Sequence, residues 1–137
     1  MPMKTISRWG AVGALAVAAA AAQDAREIAE RARELARQGS TARAVVLYRQ
    51  ALEAAPAAEE MALRRDYAVT LGWAERYEEA RREFRRVLEL EPEQPAWAQR
   101  EMARTELFGG NPGGALVWLD RLIQDGDRSE ATLVRRG

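Results

Sequence analysis

"TLGWAERYEEARREFRRVLELEP", residues 70–92, decides how this chain is read. Within it Tyr77, Ala80, Phe84 and Val87 stand three and four residues apart, and Pro92 closes the run. That spacing draws one apolar stripe along a helix and leaves Arg and Glu on its other faces. Leu71 ends an earlier run of the same kind, so the stretch spans a helix end, a turn near Glu75 and a second helix. The arrangement recurs on both sides. Small residues repeat at Ala32, Ala68 and Ala103, and again at Ala44, Ala80 and Ala115. Bulkier ones repeat at Tyr48, Phe84 and Leu119, then at Ala51, Val87 and Leu122. Each series steps by 36 residues (68 less 32) and then by 35 (103 less 68), and Pro56 and Pro92 share the first step.

Gly, Pro, Ser and Asn cluster in "QGST", "APAAEE", "EPEQP" and "GGNPGG", where helical patterns break. Between the breaks almost nothing alternates with period two, so the chain beyond residue 23 reads as all-α. The predicted helices are 24–37, 41–54, 59–74, 77–90, 96–108 and 112–124, which make three hairpins. Ala32, Ala68 and Ala103 let each first helix approach its partner, and Ala44, Ala80 and Ala115 do so from the second. Tyr48, Phe84 and Leu119 then fill the space between neighbouring hairpins. Gly39 and Gly110 suit turns that need a positive φ. Glu75 stands at the matching place in the second hairpin, so that turn is expected to be strained or differently wound. Asn111 and Pro112 read as a helix cap and first helical position.

"ARQGSTARAVVLYRQALEAAP" (36–56) and "TLGWAERYEEARREFRRVLELEP" resemble tetratricopeptide repeats, and "LFGGNPGGALVWLDRLI" (107–123) resembles them more loosely. The resemblance covers residues 25–129. It implies an α-solenoid of about three helix-turn-helix units, near 25–58, 61–94 and 96–129, with a short C-terminal helix over 130–137. It also implies a concave face lined by the first helix of each unit, where a protein or peptide partner would sit. Carried onto this chain, that face takes Arg26, Ala29, Glu30, Arg33 and Arg37 from the first unit. It takes Arg65, Asp66, Val69 and Trp73 from the second, and Trp97, Arg100, Glu101, Arg104 and Phe108 from the third. Arg beside large aromatics is the composition of binding hot spots. The chaperone-binding members hold a C-terminal carboxylate with basic groove residues. The matching positions here are Ala29, Arg33, Asp66, Trp97 and Glu101, of which only Arg33 is basic. "DYAVTLGWAERYEEA" (66–80) also resembles the repeats that precede the outer-membrane barrels of bacterial polysaccharide exporters, which implies an alternative role in such a machine.

Composition narrows the chemistry. The 137 residues include no Cys and no His, which removes thiol nucleophiles, Ser-His-Asp triads and ordinary zinc sites. "DGDRSE" (125–130) begins like a calcium loop but lacks the following Gly and the Glu at position twelve, so it reads as a helix-ending turn. "GGNPGG" lacks the Lys-Ser/Thr of a phosphate loop and reads as a turn too. No catalytic residue, metal ligand or cofactor is expected. The 21 basic and 21 acidic residues balance, so nothing points to nucleic acid. Arg81, Arg82, Arg85 and Arg86 read as a solvated helix face.

The N-terminus differs from the rest. "MPMKTISR" (1–8) is basic, "WGAVGALAVAAAAA" (9–22) is apolar, and Ala20 and Ala22 fit a small-residue cleavage site before Gln23. This describes a secretory signal peptide over residues 1–22 and a periplasmic mature chain. The apolar run is shorter than the ~20 residues a membrane span needs, so no transmembrane segment is expected after cleavage. At the other end Leu116, Trp118, Leu119, Leu122 and Ile123 form an apolar strip that "SEATLVRRG" (129–137) is too short to cover, which predicts either a homodimer through the C-terminal helices or a natural chain that continues past Gly137.

Overall fold

The computed structural model describes the backbone of residues 8–136 and the side chains of residues 11–126 and 128. Among the described residues six helices follow in order: α1 (Arg8–Arg37), α2 (Thr41–Ala54), α3 (Ala57–Trp73), α4 (Tyr77–Leu90), α5 (Ala96–Phe108) and α6 (Pro112–Arg136). Four of them, α2 to α5, lie within two residues of the predicted bounds. The all-α reading holds. The chain divides into two compact units at Leu63/Arg64, inside α3.

In the first unit α1 packs along α2. Ala25, Ala29 and Ala32 are buried on α1, and Ala44, Val45, Tyr48 and Ala51 on α2. Leu63 closes over Ala29 and Ala51, with Ile28 and Leu52 packed beside them. Small residues on one helix and larger ones on the other let the axes come close while leaving no void. α1 begins well before the predicted residue 24. The apolar run 9–22 is helical and continuous with the packed part, because an Ala-rich segment has high helix propensity and no Gly-Pro break divides it. Residues 11–20 are nevertheless exposed on every face, and packing begins only at Ala25.

In the second unit α4 packs on α5 and α5 on α6. Leu71, Phe84, Val87 and Met102 are its largest fully buried side chains. Ala68, Ala80, Ala103 and Ala115 are buried with them, so all six members of the two small-residue series lie inside. Arg81 corrects the solvated-face reading. Its guanidinium is 20% exposed and meets Glu106, which is only 7% exposed.

The three hairpin turns share one geometry. Ser40 N–H donates to Leu35 O (2.8 Å), Arg76 to Leu71 O (2.9 Å) and Asn111 to Glu106 O (2.8 Å). One residue earlier, Gly39 donates to Ala36 O, Glu75 to Gly72 O and Gly110 to Leu107 O, at 3.1 to 3.2 Å. This is the Schellman pattern, and it needs a left-handed residue at the second donor. Gly39 (φ +82°), Gly110 (φ +80°) and Glu75 (φ +60°) supply it. The second turn is therefore strained, not differently wound. Asn111 caps α6 as expected, its Oδ1 accepting from Gly114 N–H at 3.1 Å.

Two expectations fail at α6. The helix does not end at 124 with a turn over 125–130, and residues 130–136 continue it instead of forming a separate helix. Pro56 and Pro92 follow the ends of α2 and α4, whereas the place one repeat later holds Asp127, which a helix tolerates. Leu119 is also 41% exposed where Tyr48 and Phe84 are 2% and 1%. Leu116, Val117 and Ile123 are exposed with it. Ala131, Leu133 and Val134, the residues available as cover, lie outside the described side chains.

Candidate functional site

The predicted groove residues fall into both units, and each unit builds its own surface. In the first, Arg26 and Arg33 from α1 and Glu59 from α3 line a cavity of about 370 Å³, together with Glu30 and Leu63. Arg26 Nε donates to Glu59 Oε1 at 2.7 Å. Arg37 does not line this cavity; it is exposed at the end of α1 and pairs with Glu34 at 2.9 Å. Ala29 is part of the core, with 1% exposure, because Leu63 lies over it. The surface is a balanced mixture of guanidinium and carboxylate groups.

In the second unit Trp73 from the last turn of α3 and Arg104 and Phe108 from α5 come together. With Val69, Gly72 and Tyr77 they line a narrow cleft of about 50 Å³. Trp73 is 61% and Phe108 68% exposed. Gly72 has nothing within 4 Å of where a Cβ would stand, which keeps the cleft open between them. Arg104 lies 3.4 Å from Glu101, and Arg100 is exposed one turn earlier. Exposed aromatic faces beside a cation that is held only loosely can take up an apolar side chain and an acceptor together.

Arg65 and Trp97 behave differently from the reading of the sequence. The Arg65 guanidinium stacks 5.0 Å from the centre of the Trp97 ring and is bonded to Glu91. Trp97 in turn meets Phe84 edge-on, with ring centres 5.7 Å apart and an interplanar angle of 62°. Trp97 is thus a packing residue tied to the repeat core, and Arg65 is its lid. Tyr77 is the reverse case. Its place in the repeat suggests filler, yet it is half-buried and lines the cleft. The tyrosine just after a turn that presents Trp73 was the available signal.

Residues 35–99 match the tetratricopeptide repeat family. Over that stretch the chain carries tetratricopeptide repeats. The matched stretch runs from the end of α1 to the first turn of α5. The third hairpin lies outside it but repeats the Schellman turn and the buried Ala103 and Ala115 of its neighbours. No curated protein matches the chain. Tetratricopeptide domains bind protein partners and are typically scaffolds without catalysis.

Proposed function

We propose that this tetratricopeptide repeat protein is a non-catalytic scaffold of the cell envelope that captures a peptide segment of a partner protein. One observation carries the reading: Trp73 and Phe108 stand more than half exposed on one cleft, with Arg104 beside them. Large aromatics left exposed side by side mark an interaction surface, and aromatic and Arg anchors dominate protein interfaces. The partner segment offers an apolar side chain to the cleft and a carboxylate or carbonyl to Arg104. Capture from an envelope extract by the wild type and by Trp73→Ala and Phe108→Ala variants tests this. Capture that survives both substitutions would sink it.

Export accounts for the first 22 residues. Val12, Leu15 and Val17 are 62%, 72% and 70% exposed and the packed body starts only at Ala25, so among the described residues removal at Gln23 would cost the fold no buried side chain. No helix among the described residues is long and apolar enough to cross a membrane. N-terminal sequencing of the exported protein is expected to begin at Gln23; a first residue of Met1 or Pro2 would remove the envelope from this reading.

A further inference from the structure

Helices α4 and α6 are the second helices of their hairpins, and both pack against α5. Between them, within the second unit, lies a cavity of about 440 Å³. Arg85, Leu88 and Glu89 from α4 line it, with Val117, Trp118 and Arg121 from α6. Spacings of three and four residues put each set on one face of its helix. None of the six lines the Trp73 cleft, and Leu119 and Ile123 of the apolar strip are not among them.

The arginines here fall into two sets. On α4, Arg81 is bonded to Glu106 and Arg86 to Glu89. Arg85 and Arg121 make no ion pair among the described residues. Arg121 is held instead by Trp118, its guanidinium carbon 4.8 Å from the centre of the ring. Such a contact fixes a guanidinium through its face and leaves the N–H donors for an acceptor. Among the lining residues alone, two cations stand against one carboxylate, Glu89, and that carboxylate already accepts from Arg86 Nη1 at 3.2 Å. The lining is one negative charge short. An ammonium group entering here would meet two guanidiniums and no vacant carboxylate.

The same count selects among anions. A carboxylate brings one charge and suits the fork of an arginine. A phosphate monoester brings about −1.5 to −2 and would set the excess against Glu89. The exposure of the wall selects the source. Arg85, Glu89, Val117 and Arg121 are all exposed, so a small acid would stay largely in water, whereas small-molecule sites enclose most of their ligand. A peptide brings its acid together with neighbouring side chains that can cover Leu88 and Val117, the latter 51% exposed.

We propose that this cavity docks an acidic segment of a partner protein, one Asp or Glu carboxylate accepting from Arg85 and Arg121 while an adjacent apolar side chain lies on Leu88 and Val117. The site is built from the second helices of the hairpins and does not depend on the Trp73 cleft.

The test is titration of the ¹⁵N-labelled full chain, read at the Trp118 indole N–H and the Nε–H groups of Arg85 and Arg121. The probe is acetyl-Ala-Leu-Glu-Leu-Ala-amide. Its comparators carry Gln or phosphoserine in place of Glu, and sodium acetate supplies the carboxylate alone, all at matched ionic strength. The Glu peptide is expected to shift these resonances saturably in the millimolar range, and the Gln peptide to bind about tenfold more weakly, the size of one lost charge-assisted hydrogen bond. Arg85→Gln and Arg121→Gln should each weaken the Glu peptide by about as much, and both positions are exposed, so the variants should keep the fold. Arg82→Gln removes another arginine without an ion pair, one that does not line the cavity, and should leave affinity unchanged. Glu89→Gln should tighten binding, and Trp73→Ala should bind as the wild type does. Equal binding of the Gln peptide, an equal loss with Arg82→Gln, or no saturation would each overturn the site. Acetate binding as tightly as the peptide would overturn the peptide as source, and tighter binding of the phosphoserine peptide would overturn the carboxylate. Loss of the Trp118 shifts in Trp73→Ala would overturn the independence of the two sites.

Discussion

Arg81 Nε lies 2.6 Å from Glu106 Oε1, and the second oxygen of Glu106 accepts from Asn111 Nδ2 at 2.7 Å. One carboxylate therefore ties α4 to α5 and α5 to the cap of α6. Gly114 is part of the arrangement, since a Cβ there would stand 2.9 Å from Glu106 Oε2 and 2.6 Å from Asn111 Nδ2. Removing one partner of a buried pair leaves the other charge without compensation. Glu106→Ala should cost about 3–5 kcal/mol in urea denaturation. A double-mutant cycle with Arg81→Ala should show strong coupling, because the second loss removes the orphan charge left by the first. Additive single effects would mean that the pair is solvated and unimportant.

Glu75 offers the opposite kind of change. An L-residue in the left-handed region costs about 1–2 kcal/mol, and Gly avoids the clash while losing some chain entropy on folding. Glu75→Gly should raise stability by about 0.5–1 kcal/mol. Gly39→Ala and Gly110→Ala should lower it by about the same or more, since both sit near φ +80°. Thermal unfolding of the three variants checks the sign of each.

The two tryptophans of the predicted groove should separate. Trp73 is exposed, so Trp73→Ala should change stability by no more than about 0.5 kcal/mol while abolishing partner capture. Trp97→Ala opens space against Phe84 and frees Arg65, and should cost about 2–3 kcal/mol. Phe84→Ala, fully buried, should cost about 3–5 kcal/mol. Denaturant midpoints paired with capture give the comparison, and equal destabilisation by Trp73→Ala and Trp97→Ala would show that both belong to the core.

The strip on α6 predicts association. Residues 23–137 should show concentration-dependent light scattering that Leu119→Glu and Ile123→Glu suppress, because both side chains are exposed in the single chain. For the same reason these two variants should unfold within about 0.5 kcal/mol of the wild type. A wild type that stays monomeric at high concentration would dismiss the homodimer.

The periodic residues made the fold legible, because close helix packing allows only small side chains at Ala32, Ala44 and their equivalents, and the sequence repeats that constraint. The turns were legible at Gly39 and Gly110 for a backbone reason. At Glu75 the backbone kept its conformation against the residue's preference, since the hydrogen bonds of the turn outweigh a cost of about 1 kcal/mol. Trp97 misled because a large aromatic off the repeating series looks exposed until Phe84 and Arg65 are seen on either side of it. Glu106 was invisible, since on a helix that also carries Glu101, Arg100 and Arg104 a further acid bears no mark of burial. The missing proline at Asp127 was a readable sign that α6 would run on.

Each hairpin bend is held by two hydrogen bonds between main-chain atoms, to which the third bend adds the Asn111 side chain. The outward residues of a helix pair are consequently not needed to hold its angle. Substitution there can exchange one surface for another while the backbone that presents it stays in place. A protein built this way can change what it recognises by steps that each leave a folded molecule behind.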